Sequence, residues 1–270
     1  MRLSVFYHHL RAASEQTGRL LPDILDHARS LGVESVVLDP ADAVPGVLKP
    51  LADAGLSVGS VPMWFRFTED TFDPSDESFL ETLRAAGSPQ LLIIPSFYRQ
   101  GEDRSRAFPK VVEGIASVAR ICRAAGIVPT LENFDSPESP CCNPADVAAI
   151  LDAVPELGYC LDTGNFAIVD ESPLPLCERY ARRVPFLHAK DRLATASYGT
   201  RPRTTASGRH LYPGPVGEGE VPFREIFAIL CKGGMGDVPV AMEFYDTDRM
   251  LDCLDRSAAF LSAIISQTLQ

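Results

Sequence analysis

No apolar run in the 270 residues approaches the ~18–20 needed to span a bilayer; the longest are strand-sized. The first nine residues lack the apolar core of a signal peptide, so a cytoplasmic protein is expected. Basic residues are scarce: 25 Lys and Arg against 36 Asp and Glu give a net charge of −11, which disfavours general binding to nucleic-acid phosphates. The seven cysteines are odd in number and irregularly spaced, which argues against a disulfide framework, and the absence of a second pair or Cys-x-x-Cys spacing argues against a metal or redox site at Cys141-Cys142. Cys141-Cys142 reads as two loop thiols. There is no linker, no low-complexity tract and no helical repeat. At 46% hydrophobic and 23% charged residues, the chain is neither disordered nor fibrous.

What is present is alternation. Short continuous apolar runs cover residues 3–7, 35–38, 56–61, 90–95, 127–131, 158–161, 184–187 and 238–242. Between and after them lie stretches with apolar residues three and four apart, at 21–31, 47–54, 78–86, 108–125, 144–154, 174–182, 221–231 and 250–266. Asn143-Pro144-Ala145-Asp146 carries a helix-start signature, and Gly32, Gly55 and Gly87 act as stops. Continuous rather than alternating apolar strands suit parallel strands buried on both faces. Eight such units in this length predict a single (β/α)8 TIM barrel, with residues 1–270 as one domain. An open doubly wound sheet is the alternative. It lacks its glycine fingerprint, since Tyr7-His8-His9 follows the first strand.

A barrel does its chemistry at the C-terminal ends of its strands. The fifth run leads into Glu132, the sixth into Asp162, the seventh into His188 and the eighth into Glu243. Singly, each reads as readily as a cap, a loop charge or a structural histidine. Together they place three carboxylates and one imidazole at one depth, where they need a counter-charge. One divalent cation supplies it. Mn²⁺ is the first choice for these donors, with Mg²⁺, Co²⁺ or Zn²⁺ as alternatives, and about two coordination positions stay open to substrate. The connection of about thirty residues after the seventh run is long enough to be functional. Between Ala189 and Tyr212 it holds Lys190, Arg192, Arg201, Arg203 and Arg209 against one acid, Asp191. Lys190, Arg192 and Arg209 are candidates for binding a substrate carboxylate or phosphate, assisted by backbone N–H groups of Gly214, Gly217 and Gly219 ahead of a helix at Val221. Residues 195–206 read equally well as a solvated loop. Trp64, the only tryptophan, reads either as an apolar wall against a sugar face or as a rim-packing aromatic. One of Tyr7, His8 and His9 is expected to face the pocket.

Leu131-Glu132-Asn133, Leu161-Asp162-Thr163-Gly164, His188-Ala189-Lys190-Asp191 and the segment from Pro215 to Phe223 resemble signature segments of the xylose isomerase-like TIM barrels. That superfamily includes sugar-phosphate isomerases and epimerases, dehydratases and trinuclear-zinc nucleases. The resemblance is close in the C-terminal half and extends only to strand–helix rhythm in the N-terminal half. It implies that Glu132, Asp162, His188 and Glu243 are metal ligands, and that Glu132 and Glu243 also act as an acid/base pair. It implies substrate binding by Glu138, and by Arg209 within Gly208-Arg209-His210. Asn165, a further candidate for substrate binding, stands where many members carry histidine. Strands three and four lead into Val61-Pro62-Met63-Trp64 and Pro95-Ser96-Phe97-Tyr98 without histidine, which argues against the nuclease activity.

The expected activity is therefore a metal-dependent isomerase or epimerase of carbohydrate metabolism. Its substrate would be a small sugar, sugar phosphate or keto acid, converted by proton transfer through a metal-stabilised enediolate. A dehydratase or lyase is the runner-up, and a non-catalytic sugar-binding barrel the second alternative. The expected partner is a small anionic molecule, without nucleic acid or membrane; a homo-oligomer is compatible with the sequence.

Overall fold

Apolar strands buried on both faces need side chains packed inside the sheet and helices packed outside it. The computed structural model, which describes residues 1–268, meets this with a closed parallel barrel. Its strands are β1 (Arg2–Phe6), β2 (Val33–Val37), β3 (Ser57–Phe65), β4 (Gln90–Pro95), β5 (Val128–Glu132), β6 (Gly158–Asp162) and β7 (Phe186–Lys190). A two-stranded ribbon, β8 (Arg203–Thr204) with β9 (His210–Leu211), precedes the last barrel strand, β10 (Pro239–Glu243). β1 pairs with both β2 and β10, so the barrel has no free edge. Around it run α1 (Tyr7–Thr17), α2 (Leu21–Ser30), α3 (Pro45–Asp53), α4 (Phe79–Ala86), α5 (Arg104–Ala124), α6 (Pro144–Ala153), α7 (Leu174–Tyr180), α8 (Phe223–Lys232) and α9 (Met250–Thr268). This is the expected (β/α)8 barrel.

Two apolar layers follow from the two-residue period of a strand. Val36, Leu131, Leu161, Leu187 and Met242 belong to the large core shared with helix residues such as Ile24, Ile115 and Leu261. Phe6, Val37, Leu92, Ile94, Cys160, Phe186 and Ala241 form a separate cluster that fills the barrel. Two positions beyond Cys160, Phe186 and Ala241 stand Asp162, His188 and Glu243, so the same period that fills the barrel carries these polar side chains to its mouth. Parallel register sets Asp162 opposite His188, and Glu243 opposite Lys190.

Several boundaries differ from those read in the sequence. β5, β6, β7 and β10 extend one to three residues further and take in their polar ends. Hydrophobicity marks a strand only while its side chains are apolar, but the backbone ladder continues past that point. The segment after β1 is the helix α1, beginning at Tyr7, and was not expected. α5 begins at Arg104, behind an Asp103 cap that accepts from Ser105 N. α8 begins at Phe223 rather than Val221. Asn143 caps α6 as expected, accepting from Asp146 N at 2.9 Å. All seven cysteines are free thiols, and six are buried. Among the described residues no helix is long and apolar enough to cross a membrane.

Candidate metal centre

Glu132, Asp162, His188 and Glu243 are all buried, and one donor atom from each lies within 4.8 Å of the others. His188 Nδ1 is 2.8 Å from Glu132 Oε1 and 3.4 Å from Glu243 Oε2, so the two glutamates flank one edge of the imidazole. Asp162 Oδ2, Glu243 Oε2 and His188 Nε2 are buried without a hydrogen-bond partner. Atoms left in that condition cost about 1–3 kcal/mol each. Carboxylate oxygens converging beside an imidazole whose Nδ1 faces both glutamates are a donor set that fits a divalent cation.

The environment sharpens the need for charge compensation. Burial lifts Glu132 above the usual carboxylate range, against the pull of His188. Burial pushes Asp162 up to about 6, although Lys190 opposes it. Burial alone would lower His188, but Cys160 and Glu132 carry it well above its ordinary value. Lys190 is likewise buried yet held in its charged form by Asp162 and Glu243. Its ammonium lies 3.1 Å from Asp162 Oδ2, pairs with Glu243, and donates to Asn165 Oδ1 at 2.8 Å.

A second set of contacts aims these groups. Asp162 Oδ1 accepts from the N–H groups of Gly164 and Asn165, both at 2.8 Å, which turns Oδ2 to the cluster. A Cβ on Gly164 would come within 2.8 Å of Lys190 O, so only glycine lets this turn pass β7. Asn133 Oδ1 accepts from Asp162 N and Tyr159 Oη, while its Nδ2 donates to Asp162 O. Asn133 thereby ties the tips of β5 and β6 together.

A cavity of about 360 Å³ opens over the cluster. Phe6, Pro62, Ile94, Phe134 and Trp64 supply its apolar lining, and Asp135, Arg192, Arg203 and Tyr245 join Glu132, His188 and Glu243 in its polar lining, with Asp162 buried behind them. Trp64 is 56% exposed and meets Phe97 and Phe134 edge-on at 5.3 and 5.9 Å, so it both lines the cavity and packs at the rim. Asn165 and Lys190 also line it.

Other sequence-read positions fall elsewhere. Glu138 is exposed, accepts from Ser136 Oγ and does not line the cavity; Asp135, on the same turn, does. Arg209 is outside too, in a neighbouring cleft between Asp170 and Glu220. None of Tyr7, His8 and His9 lines the cavity, because α1 carries them away from the axis; Phe6 takes that place. His9 Nε2 accepts from Phe244 N instead. The N–H groups of Gly217 and Gly219 are not free for a ligand: both donate to Asp191 Oδ2 at 2.9 Å. A Cβ on Gly219 would sit 2.2 Å from Asp191 Oδ1, which accounts for the glycine. The 195–206 stretch is tethered rather than loose. Leu193 and Tyr212 exchange backbone hydrogen bonds at its root, and the carbonyl of buried Tyr198 accepts from Thr247 Oγ1 and Asp248 N. Asp135 and Arg203 were not singled out because, in sequence, they are one loop acid and one of five loop cations.

No curated protein matches the sequence significantly. Among solved structures, the IolI protein with a bound zinc atom superposes with a TM-score of 0.74 at 15% identity, covering 99% of both chains. A D-allulose 3-epimerase from Methylomonas sp. in complex with D-allulose gives 0.70 at 16% identity, over 97% of this chain and 96% of that one. A probable 3-DHS dehydratase, AsbF of Bacillus anthracis, gives 0.67 at 14%, over 97% and 99%. At such identities the likeness is one of fold. The family description xylose isomerase-like TIM barrel matches residues 77–263, more than half of the sequence, and the chain belongs to that family.

Proposed function

We propose that this protein is a divalent-metal-dependent isomerase or epimerase of a small hydroxy-carbonyl compound, whether sugar, sugar phosphate or keto acid. The observation that carries the reading is the buried convergence of three carboxylates and one imidazole beneath a cavity, with carboxylate oxygens of Asp162 and Glu243 left without a hydrogen bond. Glu132, Asp162, His188 and Glu243 would hold the ion, Mn²⁺ by first preference. When bound, it would polarise adjacent substrate oxygens and acidify the carbon-bound proton between them. Glu132 and Glu243, flanking His188, form the acid/base pair: one removes a proton from the carbon beside the carbonyl, and the other returns one. Lys190 and Asn165, already hydrogen-bonded to each other, orient substrate hydroxyls. Trp64 and Phe134 cover a carbon face and exclude water.

Return of the proton to the opposite face gives an epimer, and return to the neighbouring carbon gives an isomer. Expulsion of a β-hydroxyl instead makes the site a lyase, a second reading favoured by the fold shared with a probable dehydratase. The test is solvent-deuterium incorporation, followed by NMR, into a panel of ketoses, ketose phosphates and hydroxy-keto acids with protein loaded in turn with Mn²⁺, Mg²⁺, Co²⁺ and Zn²⁺. Exchange into recovered substrate or its isomer supports the proposal. An unsaturated product without exchange supports the lyase. Silence across the panel overturns both.

A further inference from the structure

Beyond the four-residue cluster, the cavity holds a second charged group whose donors are not fully used. Arg192 follows the buried Asp191 and is itself only 9% exposed, yet it lines the cavity. Its Nη2 donates to Asp135 Oδ2 at 2.7 Å, and its Nε is buried without an acceptor. Arg203 reaches the same carboxylate from the β8–β9 ribbon. Its Nη2 lies 2.8 Å from Asp135 Oδ1 and donates to Asp135 O at 2.8 Å. Two guanidiniums thus share one carboxylate, so the trio itself keeps a net positive charge, in a cavity that Asp39 and Asp246 also line. Burial alone would raise Asp135, but Lys190, Arg192 and Arg203 hold it below the usual carboxylate range. A guanidinium that lines the cavity offers N–H donors to a ligand oxygen, and such charge-assisted hydrogen bonds are among the stronger ones. The tethering of the long loop fixes where Arg203 is delivered, so the pair is built by the fold rather than met by chance at the surface.

We propose, resting on the functional reading above for the place where substrate binds, that Arg192 and Arg203 form an oxyanion subsite. It selects substrates that carry a carboxylate or phosphate group in addition to the oxygens turned toward the acidic cluster. Asp135 anchors both guanidiniums, while Arg209, in the neighbouring cleft, takes no part.

Two measurements on the full-length protein test this separately from the proposed reaction. In the first, Trp64 fluorescence follows titration with inorganic phosphate, with malonate and with neutral glycerol, on metal-loaded and on chelator-treated protein. The two anions are expected to saturate, glycerol not to, and Arg203→Met to weaken anion binding about tenfold or more. Arg203→Lys should recover part of the loss, and Arg106→Met, an exposed site elsewhere, should match wild type. Phosphate binding tighter than malonate assigns the subsite to phosphate esters, and the reverse assigns it to carboxylates; either supports the proposal. Unchanged anion binding in Arg203→Met overturns it. In the second, deuterium exchange is compared between dihydroxyacetone and its phosphate, with hydroxypyruvate as the carboxylate arm. An anionic member is expected to react with a kcat/KM about tenfold or more above the neutral one, and Arg203→Met to erase that preference. A neutral substrate preferred by wild type, or a preference that survives Arg203→Met, overturns the subsite. Absence of exchange from all three compounds weighs against the functional reading, while the fluorescence titration still decides the subsite.

Discussion

Two buried acidic centres lie side by side at the exit of β7, and they are built on opposite terms. The Asp191 carboxylate accepts from the backbone N–H groups of Arg192, Gly217 and Gly219 at 2.9 Å and of Val221 at 3.3 Å. Burial raises its pKa, and those four donors pull the other way. Three residues earlier, His188 meets Glu132, Asp162 and Glu243, where polar atoms on three of the four residues have no partner. Both centres remove acids from water. One spends its lone pairs on the protein's own backbone and so fixes the glycine-rich turn before α8. The other leaves lone pairs unspent around a cavity. A carboxylate satisfied wholly by backbone donors belongs to the structure, whereas a cluster paired only in part keeps oxygens free to hold a cation.

Substitutions can break this contrast. The largest effect is expected from Glu243→Gln. Proton exchange should fall about 10²–10⁴-fold, while metal affinity measured by calorimetry falls by less than about tenfold. Equal losses in both would reduce Glu243 to ligation alone. Next comes Asp162→Ala. Metal at a hundred times its Kd stabilises a binding-competent fold by about 2.7 kcal/mol, so wild-type Tm should rise on loading and the variant's should not. A rise that persists in the variant would remove Asp162 from the ligand set. Asp191→Ala should act on stability instead. Stranding its backbone donors costs about 1–3 kcal/mol each where water cannot enter, so denaturant unfolding should show a loss of about 2–4 kcal/mol. Amide exchange at Gly217 and Gly219 should quicken, with metal affinity within about threefold of wild type. If Asp191→Ala abolished metal binding with the fold intact, the two centres would not be separate. The smallest effect is expected from Trp64→Ala. Unfolding free energy should stay within about 0.5 kcal/mol, since the indole is largely exposed, while KM rises about fivefold from the loss of an aromatic face.

The barrel was legible because its pattern is local and repeated. Each strand run and helical face carries its own periodicity, and eight repetitions leave few architectures open. Glu132, Asp162, His188 and Glu243 were legible for the same reason, since position at a strand end is a one-dimensional property that the barrel turns into proximity. α1 was missed because no glycine, proline or polar break separates Tyr7 from β1. The glycine-rich segment before α8 was read as an anion cradle. Its N–H groups do bind an anion, but it is Asp191, an acid of the same chain, and sequence spacing does not distinguish an internal carboxylate from a bound one.

Periodicity by itself determined the strand–helix alternation, the direction of the strands and the four side chains carried to one end of the barrel. Tertiary structure alone decided that Arg203 rather than Arg209 reaches the cavity, that Asp135 rather than Glu138 meets it there, and that Phe6 rather than a neighbouring histidine lines it. The physical reason is that a strand's side chains obey a period of two wherever the strand lies. The course of a thirty-residue loop is set instead by contacts with distant segments, such as Tyr198 with Thr247 or Asp191 with Gly219, which no short stretch of sequence contains.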